Sequence, residues 1–305
     1  MNYDVIGDIH GHAGALEALL TRLGYRQRGG VWRQAGHMAV FVGDYIDRGP
    51  RQLDSVSIVR SMVDAGTAHA VMGNHEFNAM AWHMRDPDNP GQFLRPHTPS
   101  KQGQHQAFLD AVDGRPDIHQ EILDWFKQLP LWLDLPGLRA VHACWDAPSM
   151  ATLAPYLDSG NRLTQEGMVA TSRHGSDAWL ALERVLKGPE IKLPDGIQFR
   201  QGDQMRSEAR IRWWNPEQPA LRDAAIVDAS AAEALPDTPV PDHVWARFDS
   251  AKPIFIGHYW MRGQPQPLKP GIACLDYSVA RDGPLVAYRM RGESVLNADH
   301  YLEVR

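Results

Sequence analysis

Cysteine is nearly absent from this 305-residue chain, with only Cys144 and Cys274 present. Two thiols cannot build a disulfide framework, and nothing in the sequence forces them to pair, so a reducing, cytoplasmic setting is expected. No apolar run approaches the roughly 20 residues needed to span a bilayer. The N-terminus enters a strand at Tyr3-Asp4-Val5-Ile6 without the basic and apolar segments of a secretory leader, so no membrane partner is expected. Positive charge is not in excess either. The 31 basic and 37 acidic residues give a formal net charge of −6, which lends no support to an electrostatic grip on nucleic acid. Internal repeats and low-complexity tracts are lacking. Hydrophobic residues at 43% and charged residues at 22% are ordinary for a globular protein with a sizeable core.

The chain does have alternation of short apolar runs with helical patterns. Residues 2–6 read as a buried strand, followed by a helix with Leu16, Leu19, Leu20 and Leu23 on one face and Gly24 as its stop. Met38 to Val42 is a second apolar run, followed by a helical pattern at Val56, Val59 and Val63, and Ala68 to Met72 is a third. Such alternation predicts parallel strands with right-handed crossovers, which put the strand C-termini on one edge, where ligands collect in open α/β sheets. Residues 86–103 read as a long irregular loop, and helices are expected near 105–112 and 118–129. A hairpin is expected over 131–135 and 138–142 around Pro136-Gly137. The runs 254–257, 272–275, 285–290 and 294–296 are expected to complete a second sheet. Residues 146–250, with one helix at 177–186, read as an insertion or cap within a single domain covering 1–305.

Chemistry-bearing residues follow the apolar runs. Gly7-Asp8-Ile9-His10-Gly11, Gly43-Asp44-Tyr45-Ile46-Asp47-Arg48-Gly49 and Gly73-Asn74-His75-Glu76 each begin where a strand ends, and Val141-His142 and Gly257-His258 repeat the pattern. Taken singly, Gly-Asp marks a turn and Asn-His a helix cap. Taken together, they supply the oxygen and nitrogen ligands that a dication needs from separate parts of a fold.

These segments resemble the calcineurin-like metallophosphoesterases, and within them the branch of serine/threonine protein phosphatases and bacterial symmetrical diadenosine tetraphosphatases. Gly-Asp-Tyr-Ile-Asp-Arg-Gly-Pro is the most specific segment. The resemblance implies a four-layer α/β/β/α sandwich with an inserted cap region and two divalent metal ions, manganese first, with iron, zinc or nickel as alternatives. It implies Asp8 and His10 on the first metal, Asn74, His142 and His258 on the second, and Asp44 bridging both. Many members of the wider superfamily carry a further His two residues after His258, where this chain has Trp260. Hydrolysis would then proceed through a dimetal-activated hydroxide, with Arg48 and Asn74 binding the phosphoryl oxygens and His75, partnered by Asp47, protonating the leaving group.

Arg206, Arg210 and Arg212 lie in the insertion, where relatives supply a second phosphate-binding arginine, and Arg210 and Arg212 are taken as substrate-binding candidates. Tyr259-Trp260 would wall the pocket or stack on a base. Trp213 and Trp214 read as packing residues and Cys144 as an inert buried thiol. The function expected is hydrolysis of phosphomonoesters, phosphoserine and phosphothreonine proteins included. The alternatives are a symmetrical bis(5'-nucleosyl)-tetraphosphatase acting on dinucleoside polyphosphates and, in another class, a non-catalytic metal-bound interaction module. The expected partner is a phosphorylated protein, small molecule or nucleotide.

Overall fold

The computed structural model describes residues 2–201 and 204–305. Strand β1 (Asn2–Ile6) leads into α1 (Ala13–Leu23), which Gly24 ends in a left-handed conformation at φ 94°. Then come β2 (His37–Phe41), α2 (Gln52–Asp64), β3 (Ala68–Ala70), α3 (Asn74–His83), α4 (Pro99–Val112) and α5 (Pro116–Phe126). A hairpin of β4 (Trp132–Leu135) and β5 (Leu138–Val141) follows, and after a long excursion the chain returns as β6 (Ile254–Ile256), β7 (Ile272–Cys274), β8 (Leu285–Met290) and β9 (Tyr301–Val304).

These strands form two sheets, ordered β9-β8-β1-β2-β3 and β7-β6-β5-β4. In the first, β1, β2 and β3 pair parallel and β8 and β9 antiparallel; in the second, only the β4–β5 hairpin is antiparallel. The period-2 alternation sorts side chains cleanly. Val5, Val40, Val42, Val286 and Tyr288 meet Leu138, Ala140, Phe255, Ala273 and Leu275 in one buried layer between the sheets. Ile6, Ala39, Phe41, Leu285 and Ala287, turned the other way, share a second cluster with Leu16, Leu19, Val56 and Val59 of α1 and α2. On the far side, Val185 of the helix Asp177–Lys187 accepts the Ala143 N–H through its carbonyl, just beyond β5. Helix, sheet, sheet and helix give the four-layer arrangement. Each fully buried Val or Leu contributes about 1.5–3 kcal/mol, so a one-residue slip in any strand would expose a whole face.

Several expectations are corrected. Leu285–Met290 belongs to the first sheet, wedged between β1 and β9, which makes that sheet mixed. No strand forms at 294–296; the last is Tyr301–Val304. The irregular stretch after α3 ends earlier than 103, because Thr98 caps α4 by accepting the Lys101 N–H and Pro99 occupies the first turn. Residues 146–250 hold more regular structure than one helix: helices at 147–153, 165–171 and 177–187, and two-stranded ribbons at 190–192/208–210 and 199–201/204–206. Leu193, Phe199, Ile211, Leu221, Leu235 and Val240 give this stretch a buried cluster of its own. Among the described residues no helix is long and apolar enough to cross a membrane.

Candidate metal centre

The expected ligands all sit just past strand ends on one edge. Asp8 and His10 follow β1, Asp44 to Arg48 follow β2, Asn74 and His75 open α3 after β3, His142 follows β5 and His258 follows β6. The connecting loops are tied to one another. Ile9 and His10 N–H groups both donate to the Asp44 carbonyl, and buried Glu76 accepts from the N–H groups of Asp44, Tyr45 and Gly73. Among the described residues nine that are not glycine have positive φ, and six of them are on this edge: His10, Asp44, Asp47, Arg48, His258 and Trp260. Left-handed non-glycine backbone costs on the order of 1–3 kcal/mol per residue and is kept where the surroundings over-determine it.

Asp44 is the hub. Its Oδ2 lies 3.3 Å from His142 Nε2, 3.6 Å from His10 Nε2 and 3.9 Å from His75 Nε2. His142 Nε2 is also 3.1 Å from Asn74 Oδ1. The opposite ring nitrogens of two of these histidines face backbone carbonyls, His10 Nδ1 that of Ile46 at 3.0 Å and His142 Nδ1 that of Val42 at 2.7 Å. A carbonyl only accepts, so Nδ1 carries the proton and Nε2 is left as the ligand atom. Two overlapping groups, His10-Asp44-His75 and Asp44-His142-His258, each bring their ligand atoms within 4.8 Å of one another.

The charges show what this cluster suits. Burial and the neighbouring Asp276 push the Asp8 carboxyl well above the usual carboxylate range, and burial lifts Asp276 to about 6. Burial pushes His10 down to about 4 despite Asp44, whereas Asp44 overcomes burial at His142 and raises it to about 10. Asp8 Oδ1 and His258 Nε2 are buried with no hydrogen-bond partner among the described residues. Crowded buried carboxylates, the neutral imidazoles of His10 and His258 and the unpaired Asp8 Oδ1 and His258 Nε2 fit divalent cations, and mixed nitrogen and oxygen donors suit manganese, iron, zinc or nickel better than calcium. Asp8 itself lies outside both three-residue groups; its Oδ2 accepts the His258 N–H at 3.0 Å. Trp260 donates its N–H to Asp276 at 2.9 Å.

Beside the hub, His75 Nδ1 meets Asp47 Oδ2 at 2.5 Å. Burial favours the neutral imidazole, but Asp44 and Asp47 together hold the His75 pKa above its ordinary value. Burial likewise opposes charge on Asp47, yet hydrogen bonds from His105 and His75 hold its carboxyl below the usual range. Arg48 is exposed, with its guanidinium 5.4 Å from the Trp260 ring centre. Past His258 opens a cavity of about 390 Å³ whose lining includes Tyr259, Trp260, Arg200, Arg210 and Arg262 together with the acidic Glu190, Glu208 and Asp228. Arg210 is therefore at the site, but Arg212 is not brought to it. The Arg212 guanidinium donates to the carbonyls of Asp223 and Ala225 and holds the insertion together. Arg206 faces Glu190 at 3.4 Å. Trp213 is fully buried and donates to Tyr259 Oη and the Ala143 carbonyl, a packing role as read from the sequence.

Sequence reading missed His105, Glu76 and Asp276. Asp276 follows the apolar run 272–275 just as Asp8 follows 2–6, a signal that was there to use. His105 carried none, since a histidine within a helical pattern is indistinguishable from a surface residue.

The profile of the calcineurin-like phosphoesterase family matches residues 1–194. Over 76 residues the chain is 43% identical to an asymmetrical bis(5'-nucleosyl)-tetraphosphatase of Halalkalibacterium halodurans, covering 25% of this chain and 31% of that protein. Over 185 residues it is 28% identical to a symmetrical bis(5'-nucleosyl)-tetraphosphatase of Vibrio cholerae, covering 58% and 59%. The chain thus spans less than two thirds of the length of these curated relatives. Its fold is similar to that of a protein serine/threonine phosphatase from Saccharomyces cerevisiae, with a TM-score of 0.52 at 16% identity, covering 100% of this chain and 79% of that one. Since the matched stretch covers more than half of the chain and runs through four of the five strand ends that carry the candidate ligands, this protein belongs to the calcineurin-like phosphoesterase family.

Proposed function

We propose that this chain is a metal-dependent hydrolase of phosphate esters, acting on phosphomonoesters, with phosphoserine and phosphothreonine proteins as one substrate class. The observation that carries this is one buried carboxylate oxygen, Asp44 Oδ2, ringed by three imidazole nitrogens, with a His75–Asp47 pair alongside. Asp8, His10, Asp44, Asn74, His142 and His258 would hold two divalent cations, manganese by preference. When bound, such a pair lowers the pKa of water and neutralises charge on phosphorus-bound oxygens.

The chain's own side chains do the rest. Arg48 and Arg210 offer guanidinium forks for the non-bridging oxygens. Asp47 fixes the His75 ring and keeps it charged, so that Nε2 can give its proton to the leaving oxygen. A non-catalytic metal-bound module would need no such proton donor. A second reading, hydrolysis of a dinucleoside polyphosphate, is favoured by the room past His258, where Trp260 and several arginines line a cavity whose wall also carries Glu190, Glu208 and Asp228. Residues 146–250, which supply Arg200 and Arg210, would act as a cap on a single domain spanning 1–305. The free, buried Cys144 and Cys274 suit the reducing cytoplasm.

Turnover in manganese should be compared for p-nitrophenyl phosphate, a phosphopeptide, diadenosine tetraphosphate and an end-phosphorylated oligonucleotide. Hydrolysis of p-nitrophenyl phosphate and the phosphopeptide with weak action on the dinucleotide supports the first reading, and the reverse order supports the second; the oligonucleotide end, a third monoester, tests whether the site also takes nucleic acid. No turnover of any of them in manganese, iron, zinc or nickel would overturn both.

A further inference from the structure

Asp47 is shared between two imidazoles. One carboxylate oxygen takes the Nδ1 proton of His75 at 2.5 Å, and the other takes the Nδ1 proton of His105 at 2.9 Å. His105 projects from the middle of α4, only 3% exposed, stacked on Phe108 with ring centres 5.1 Å apart and tilted edge-on to Trp82 at 6.1 Å. Its Nε2 is buried and has no partner among the described residues. A leucine or phenylalanine would fill this aromatic niche without desolvating an imidazole, so the polar ring is explained by its one polar contact.

We propose that His105 is a positioning residue for the His75–Asp47 pair. A lone bond from His75 would leave the Asp47 carboxylate free to turn about its own side chain. With His105 holding Oδ1 from α4, and Gln52 Oε1 holding the Asp47 N–H at 2.6 Å, Oδ2 is fixed toward His75 Nδ1. That leaves His75 Nε2, which as a proton donor is not counted among the metal ligands, on the Asp44 side, 3.9 Å from Asp44 Oδ2, where a leaving oxygen would take its proton. Asp47 adopts its left-handed backbone at φ 69° within this double clamp. The inference rests on the reading of His75 as the leaving-group acid.

His105→Leu removes the donor, and His105→Asn offers an amide N–H in its place. In manganese, the kcat of His105→Leu on phenyl phosphate should fall roughly 10- to 100-fold, the range seen when a group that orients another is lost. The fall on p-nitrophenyl phosphate, whose leaving group needs little protonation, should be much smaller, with KM and bound metal unchanged, and His105→Asn should recover most of the loss. In the metal-free protein, the low-field imidazole N–H proton that disappears in His75→Ala should shift in His105→Leu and return in His105→Asn. Should the leucine variant not fold, His105→Phe keeps the aromatic contacts and takes its place. Unchanged leaving-group dependence together with an unmoved proton would overturn the proposal, as would equal slowing of both substrates without rescue by asparagine. If His75→Ala itself slows both substrates equally, the acid reading fails, and the proton shift still decides whether His105 orients His75 through Asp47.

Discussion

Asp44 carries more of this site than any other residue, because its two oxygens do different work. Oδ2 is the point on which His10, His75 and His142 converge, while Oδ1 accepts the His75 backbone N–H at 3.0 Å and fixes the start of α3. Asp44→Asn keeps the shape but removes the charge that would bind two cations, so metal content after dialysis should fall to background and kcat/KM by at least ~10³, about 4 kcal/mol. Full activity with bound manganese would contradict the bridging role. Gly73 is a second single-residue test. A methyl group there would lie 2.2 Å from Asp44 Oδ1 and 2.3 Å from Asp44 N, so Gly73→Ala must push the two ligand loops apart. Misplacement of about 1 Å costs roughly 10² in rate. Turnover should drop by that order and the melting temperature should fall with it, because the Asp44 backbone must move and overpacking costs about 1–3 kcal/mol, measured by parallel kinetics and calorimetry.

At the scale of elements, the strand ends were legible in sequence because each short apolar run is closed by a candidate ligand, preceded by a glycine in four of the five cases. The sheet assignment of 285–290 was not. Its apolar run announces burial on both faces, yet burial is met equally in either sheet, and only antiparallel pairing with β1 decides it. A buried charge cluster secures that pairing. The Asp4 carboxylate, fully buried on β1, accepts from Arg289 Nε of β8 at 2.7 Å and lies 3.0 Å from His37 of β2, and Arg289 also donates to the Leu23 carbonyl that ends α1. Removing one partner of such a pair strands the other charge, at about 3–5 kcal/mol. Arg289→Met should therefore lower stability in urea unfolding by that order, without altering metal content or KM at the distant strand ends. His105 and Glu76 escaped notice for a similar reason. Their partners lie mostly on other elements, and neither spacing nor residue type within α4 points to His105, while the one local sign for Glu76 is its place three residues after Gly73, whose N–H it accepts.

For the molecule as a whole, the five strand ends that carry the candidate ligands are brought together only when both sheets are packed, so metal binding there would be linked to folding. Manganese at a hundredfold excess over its dissociation constant should add about 2.7 kcal/mol per site, and chelation should lower the melting temperature accordingly. Protons compete for the same nitrogens, and His10 gives this competition a sign. Burial depresses its pKa from the ordinary 6.5 to about 4, so in the metal-free protein folded His10 stays neutral where the unfolded chain would already be charged. Its contribution to stability is complete above pH 6.5 and is lost as pH falls toward 4, a span of about 3 kcal/mol at most. Glu76, raised to about 7 by burial, and Asp276, raised to about 6, act in the opposite direction over an overlapping range. The net curve of the wild type therefore hides the histidine. The difference between wild type and His10→Gln removes the shared carboxylates: urea unfolding of the two metal-free proteins should diverge as pH rises from 5 to 7.5, with the wild type gaining relative to the variant. A constant gap across that range would mean that His10 is not held neutral, and that its Nε2 is not the open ligand atom the Ile46 contact implies.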